Sequence, residues 1–347
     1  MSSKNRSTFH TEDVTLLLDD ITGTIEPKPA AERERLIQSG VHYSEMLPLE
    51  YQPSEQYIAE YYRALDIFAY ETAMAVESVT EKIYRKKREG IVLVSLARAG
   101  TPIGILIKRC LYRNFNINAP HYTISIVRGR GIDKTAMRHI IGRHPVETVQ
   151  FVDGWTGKGA ILDELAIAVK EFSGEQNKRL LLAVLADPAN ITDMCGTHED
   201  IPIASSFLNS TVCGLMSRTV IRQGIKADEF HGVAFFDNLR AEDRTYEFIE
   251  RIEKYLDTSE IEGIDEVREI AEAFKVNDIN FVKPGIGETT RVLLRRVPDM
   301  VLIAESAQPQ YVAHLIQLAK EKDVQVIRYP LRRYKACGII KALSSDL

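Results

Sequence analysis

The sequence predicts an α/β protein, a doubly wound parallel sheet with a second, smaller α/β sandwich domain, on three observations. Short apolar runs alternate with helix-length amphipathic segments between residues 91 and 186. Each run ends in a polar or glycine-containing loop, ARAGTP, RGRGID, DGWTGKG or DPAN, and open α/β sheets bind ligands at those strand ends. An acidic stretch, DTSEIEGIDE, then separates this pattern from a shorter one of the same kind.

Residues 14 to 53, with prolines at 27, 29, 48 and 53, read as an irregular or short-element segment that covers part of the domain. From Ser54 to Arg88, Ile58, Tyr61, Leu65, Phe68, Thr72, Val76, Val79 and Ile83 recur three or four apart and predict one long helix or two. Strands follow at IVLVSL (91–96), YTISIV (122–127), VQFV (149–152) and LLLAVLA (180–186), with helices from Pro102, near 132–143 and from Lys158. Beyond a helix near 241–256, the strands DMVLIAES and VQVIRYP flank the helix PQYVAHLIQLAKEK. The expected division is a helical hood segment over 1–90, the main domain over 91–257, a linker over 258–278 and the small domain over 279–347.

With 347 residues, 45% hydrophobic and 27% charged, the chain has the make-up of a globular protein with a sizeable core. No apolar run reaches the roughly 18 residues of a membrane helix, and Met1 to Asp13 is too polar for a signal peptide, so a cytoplasmic protein without membrane partners is expected. Cys110, Cys195, Cys213 and Cys337 show neither CxxC nor zinc spacing and read as reduced thiols. A net charge of -5 argues against bulk attraction to nucleic acid while leaving room for a local basic patch.

The stretch TVQFVDGWTGKGAIL places a strand, Asp153 and a small-residue loop ahead of a helix N-terminus. Backbone N–H groups at Gly157 and Gly159, the Thr156 hydroxyl and the Lys158 cation suit a phosphate there. In LARAGTPIG, Gly100 lets the main chain approach an anion and Arg98 can donate to it.

These two motifs, in this order, resemble the pyrophosphate loop and the phosphoribosyl pyrophosphate (PRPP) signature of type I phosphoribosyltransferases, over about residues 91–190. The resemblance implies that fold and the transfer of a ribosyl phosphate to an unknown acceptor, with pyrophosphate leaving through an oxocarbenium-like transition state. It implies pyrophosphate binding by Arg98, Ala99, Gly100 and Thr101. Asp153, Thr156, Gly157, Lys158 and Gly159 would hold the ribose phosphate, Asp153 would hold Mg2+, and Arg128, Arg130 and Lys134 would cover the leaving group. The family's signature has two adjacent acids; here Gly154 takes the second place. A non-catalytic PRPP- or nucleotide-sensing RNA-binding protein is the competing reading, and a homo-oligomer is expected. Trp155 reads as a packing residue or a wall of the acceptor pocket.

Residues 279–342 resemble the Pelota-like RNA-binding domain, whose glycine-x-asparagine-glutamate turn would correspond to Gly285, Ile286, Gly287 and Glu288, with Gly287 for asparagine. The resemblance implies RNA contacts by Lys283, Gly285, Gly287, Glu288, Thr289 and Arg291, with Arg295 and Arg296 meeting phosphates. Fusions of this organisation resemble bacterial tellurite-resistance and stress-associated proteins, some labelled cysteine proteases. Cys213 with one of the eight histidines would be the pair to consider, although a cysteine beside Gly214 and Leu215 also reads as a small buried residue.

Overall fold

The computed structural model describes residues 6–50, 52–88, 90–174, 176–222, 224–256 and 263–342. The chain divides into two compact units, Met1–Leu256 and Asp257–Leu347.

The first unit is built on a six-stranded sheet with the order Thr15–Leu16, His121–Ile124, Val92–Leu96, Val149–Val152, Leu182–Ala186, Cys195–Thr197. Every neighbouring pair is parallel. Val92–Leu96, Val149–Val152 and Leu182–Ala186 are buried along their whole length, as expected of strands covered on both faces.

One face carries the helices Glu55–Lys87, Gly100–Phe115 and Thr245–Leu256, packed through Leu65, Val76, Ile105, Phe248 and Ile252. The other carries Lys134–Ile141 and Ala160–Ser173, packed through Met137, Ile140, Leu162 and Leu165. The 33-residue helix is continuous. The Ser54 hydroxyl accepts from the Tyr57 N–H at 3.3 Å to cap it, and Arg85, Lys86 and Lys87 complement its negative end.

The N-terminal segment, read as irregular or built of short elements, supplies the two-residue edge strand Thr15–Leu16. One part of this unit differs from the sequence expectation. The stretch 122–127 is broken at Ser125: Ile126–Val127 turns away to form a small antiparallel hairpin with Gly131–Ile132.

The second unit has a four-stranded sheet in the order Val282–Pro284, Ala336–Ile340, Pro298–Ala304, Gln325–Tyr329. Its first two pairings are antiparallel and the last is parallel. Helices Gly263–Ala273, Ile286–Arg295 and Pro309–Glu321 enclose a core that includes Val267, Ile270, Leu293, Leu302 and Leu315. Residues 263–273 are therefore helical within the stretch expected as linker, while 257–262 lie outside the described residues. Among the described residues, no helix is long and apolar enough to cross a membrane.

Candidate active site

Register decides which polar groups meet at the sheet's outer edge. Val184 pairs with Cys195 and Ala186 with Thr197, so the residues that follow, Asp187 and His198, emerge side by side. The Asp187 N–H donates to the Thr197 carbonyl at 3.0 Å. A tight turn returns to the Asp187 carboxylate, whose Oδ2 accepts from the N–H groups of Ile191 at 2.7 Å and Thr192 at 2.8 Å. Its Oδ1 is buried without a partner.

His198 stands over this turn. Its Nδ1 is 2.9 Å from the Asp187 carbonyl oxygen and 3.8 Å from Asp187 Oδ2. Donation from Nδ1–H to that carbonyl leaves Nε2 as the free ring nitrogen, and Cys195 Sγ lies 3.5 Å from Nε2 and 3.7 Å from Nδ1, beside the ring rather than along the Nε2 lone pair. The histidine side chain is half exposed, whereas Cys195 is buried.

The long helix completes the cluster. Lys82 Nζ donates to the Cys195 carbonyl at 2.6 Å and lies 3.9 Å from its sulfur. Burial pushes the Cys195 thiol up, and the Lys82 charge opposes that shift. Between cysteine and histidine, Gly196 lies directly against the helix: a Cβ there would come within 2.4 Å of the Ala75 carbonyl oxygen. Only a residue without a side chain lets the strand sit this close to the helix that carries Lys82.

The thiol considered from sequence is differently placed. Cys213 is buried, its thiol is pushed up to about 11 by desolvation, and among the described residues no histidine nitrogen lies within hydrogen-bonding reach of its sulfur. Cys195 is the cysteine with a histidine partner. The C-x-x-H spacing from 195 to 198, after an aspartate closing the preceding strand, was the available signal.

The expected phosphate loops lie at the strand ends, and the charge of the first, Arg98, is already engaged. Arg98 is ion-paired to Glu50 at 2.8 Å and donates to the Met216 carbonyl at 2.9 Å and to Asn209 Oδ1 at 3.0 Å. Both partners of that pair are largely buried, so removing one would cost about 3–5 kcal/mol. Gly100 packs on the next strand, where a Cβ would meet the Val152 carbonyl oxygen at 2.5 Å, and Thr101 Oγ1 pairs with Thr123 Oγ1 inside the core. Ala99 precedes the helix and makes no side-chain cap.

In the second loop, Thr156 is buried, Lys158 is exposed and Gly159 adopts φ +83 at the helix start. The exposed Trp155 ring covers Gly157, where a Cβ would approach within 2.6 Å. Desolvation pushes the Asp153 carboxyl up to about 7, and its hydrogen bond from the Gly154 N–H only partly opposes this.

On the hairpin between the two loops Arg130 pairs with Glu45 at 2.7 Å, and at the start of the helix after it Lys134 pairs with Glu171 at 2.6 Å. Arg128 is exposed, and its backbone is held by Tyr43 and His42.

Residues 7–253 match the family model described as tellurite-like stress resistance cysteine protease StiP. The chain belongs to the StiP family. A relative named cysteine protease StiP, from Acinetobacter baylyi, is 35% identical over 363 residues, spanning 96% of this chain and 94% of its own length. This StiP membership overturns the expected phosphoribosyltransferase activity, with its PRPP co-substrate and transferase chemistry. The engaged state of Arg98, Arg130 and Lys134 gives a physical reason: cations needed by a pyrophosphate are already neutralised by carboxylates.

Residues 261–342 match the PELOTA RNA binding domain. There Gly285 takes φ +90 ahead of the helix, Gly287 is exposed, and Glu288 pairs with Arg291 at 2.5 Å. Thr289 is buried and donates to the Gly285 carbonyl at 2.8 Å, so it closes the helix start rather than facing a ligand. Lys283 is partly buried, while Arg291, Arg295 and Arg296 are exposed.

Proposed function

We propose that the first unit is a cysteine peptidase in which Cys195 is the nucleophile, His198 the general base and Asp187 the group that orients the imidazole. The observation that carries this reading is the contact of Cys195 Sγ with the His198 ring, 3.5 Å from Nε2 and 3.7 Å from Nδ1, with Nδ1 held by the Asp187 carbonyl. The name of the relative agrees with it.

In the reaction, the thiol proton passes to His198 Nε2 as sulfur attacks the peptide carbonyl carbon. The imidazolium returns that proton to the departing amine, leaving a thioester that water hydrolyses. Lys82 favours the thiolate across 3.9 Å.

Hydrolysis of a denatured protein substrate tests this assignment. Cys195→Ser and His198→Gln are expected to abolish it and Cys213→Ser to retain it; loss in Cys213→Ser with retention in Cys195→Ser would reverse the assignment.

We further propose that the sheet is of phosphoribosyltransferase type, reused for thiol chemistry, and that the protein works in the cytoplasm, where its four free cysteines stay reduced. For the second unit we propose RNA binding at the turn around Gly285, supported by the domain match and by the exposed arginines on the helix after it. Retention of RNA by a Lys283→Ala, Arg291→Ala variant at undiminished affinity would count against that surface.

A further inference from the structure

Asp187, Cys195 and His198 bring together one carboxylate oxygen, one thiol sulfur and one ring nitrogen, all within 4.8 Å of one another. We propose that these three side chains form a binding site for a soft divalent cation of the zinc class.

The donor types suit that ion: zinc takes sulfur, imidazole nitrogen and carboxylate oxygen in tetrahedral sites, and three protein ligands leave a fourth position for water. The spacing suits it too. Tetrahedral bonds of about 2.3 Å to sulfur and 2.0 Å to nitrogen put those atoms about 3.5 Å apart. Cys195 Sγ is 3.5 Å from His198 Nε2, and one donor atom of each of the three residues lies within 4.8 Å of the others. Small side-chain adjustments bring three donors onto one ion.

Two further features point to a ligand. Asp187 Oδ1 is a buried carboxylate oxygen with no hydrogen-bond partner, which a cation would satisfy. The bond from His198 Nδ1 to the Asp187 carbonyl is the outer-shell contact that fixes the tautomer of a histidine ligating through Nε2.

Occupancy would displace the thiol proton and engage the sulfur lone pair, leaving no free nucleophile. That inhibitory consequence rests on the peptidase reading; the binding itself does not.

The test is titration of the full-length reduced protein with Cd2+, whose bonds to thiolates absorb in the ultraviolet, followed by competition with Zn2+. One equivalent should bind with a thiolate band that zinc abolishes. The band should be lost in Cys195→Ser and retained in Cys213→Ser, and affinity should fall at least about ten-fold in His198→Gln, a half-exposed position, in protein whose thermal melt shows it to be folded. No binding by the folded protein, a band that survives in Cys195→Ser, or undiminished affinity in His198→Gln would each overturn the proposal. Peptidase activity, measured separately, distinguishes the two ideas: binding without activity would sink the peptidase reading alone, and activity without binding would sink the metal site alone.

Discussion

Gly196 lies so close to Ala75 that a side chain on it would meet the helix backbone at 2.4 Å. This contact sets the distance between the edge strand and the long helix, and so joins Lys82 to Cys195 and His198.

Gly196→Ala is therefore expected to push the strand off the helix. The strain of overpacking costs about 1–3 kcal/mol, and the sulfur–imidazole alignment is lost with it. Urea denaturation should show the destabilisation, and the variant should lose peptide hydrolysis under conditions where it is still folded. A variant as stable and active as the parent would show that the contact is not rigid.

Asp153 is expected to make stability fall as pH rises. Its carboxyl is pushed from the usual 3.8 up to about 7 in the fold, so between those values the folded chain holds a proton that the unfolded chain has released. Stability is lost across that window and levels off above about pH 7. Asp153→Asn, which still offers an acceptor to the Gly154 N–H, should be more stable than the parent at pH 8 and gain little at pH 4. Equal gains at both values would contradict the assignment.

Gly104→Ala should be strongly destabilising for a packing reason. A Cβ there would fall 2.1 Å from Ser95 Oγ and 2.4 Å from His121 Nε2, which are bonded to each other at 2.7 Å in the core. Separating them leaves buried polar groups unpaired, at a cost of about 1–3 kcal/mol beyond the steric strain. Gly287→Ala, in open space at a helix start, serves as the contrast and should be neutral or slightly stabilising in thermal melts.

RNA affinity of the full chain should fall steeply with added salt, and each exposed cation removed, Arg291 or Arg295, should reduce the magnitude of the log–log slope by about 1. A salt-independent affinity would exclude a phosphate-reading surface.

The alternation of strands and helices was legible because VLVSL, VQFV and LAVLA are short, mainly apolar runs bounded by polar loops. Thr15–Leu16 was not, since two residues carry no period. The helix 263–273 was hidden in an acidic stretch whose apolar positions, Val267 and Ile270, become meaningful only against the second unit's sheet. Arg98 looked like a free anion ligand because its partners, Glu50 and Asn209, lie far away in sequence. The cysteine–histidine pair escaped for a related reason. Cys195 and His198 are close in sequence, yet their alignment with Asp187 depends on the pairing of Ala186 with Thr197, which no local spacing encodes.

The central claim, that Cys195 is the nucleophile, is tested most directly by treating the native protein with a peptide-derived alkylating electrophile and locating the adduct by mass spectrometry. A single adduct on Cys195 is expected, lost in His198→Gln. Its rate should still climb at pH values where a free cysteine has levelled off, because burial pushes this thiol up. An adduct on Cys213 with Cys195 unmodified would contradict the account.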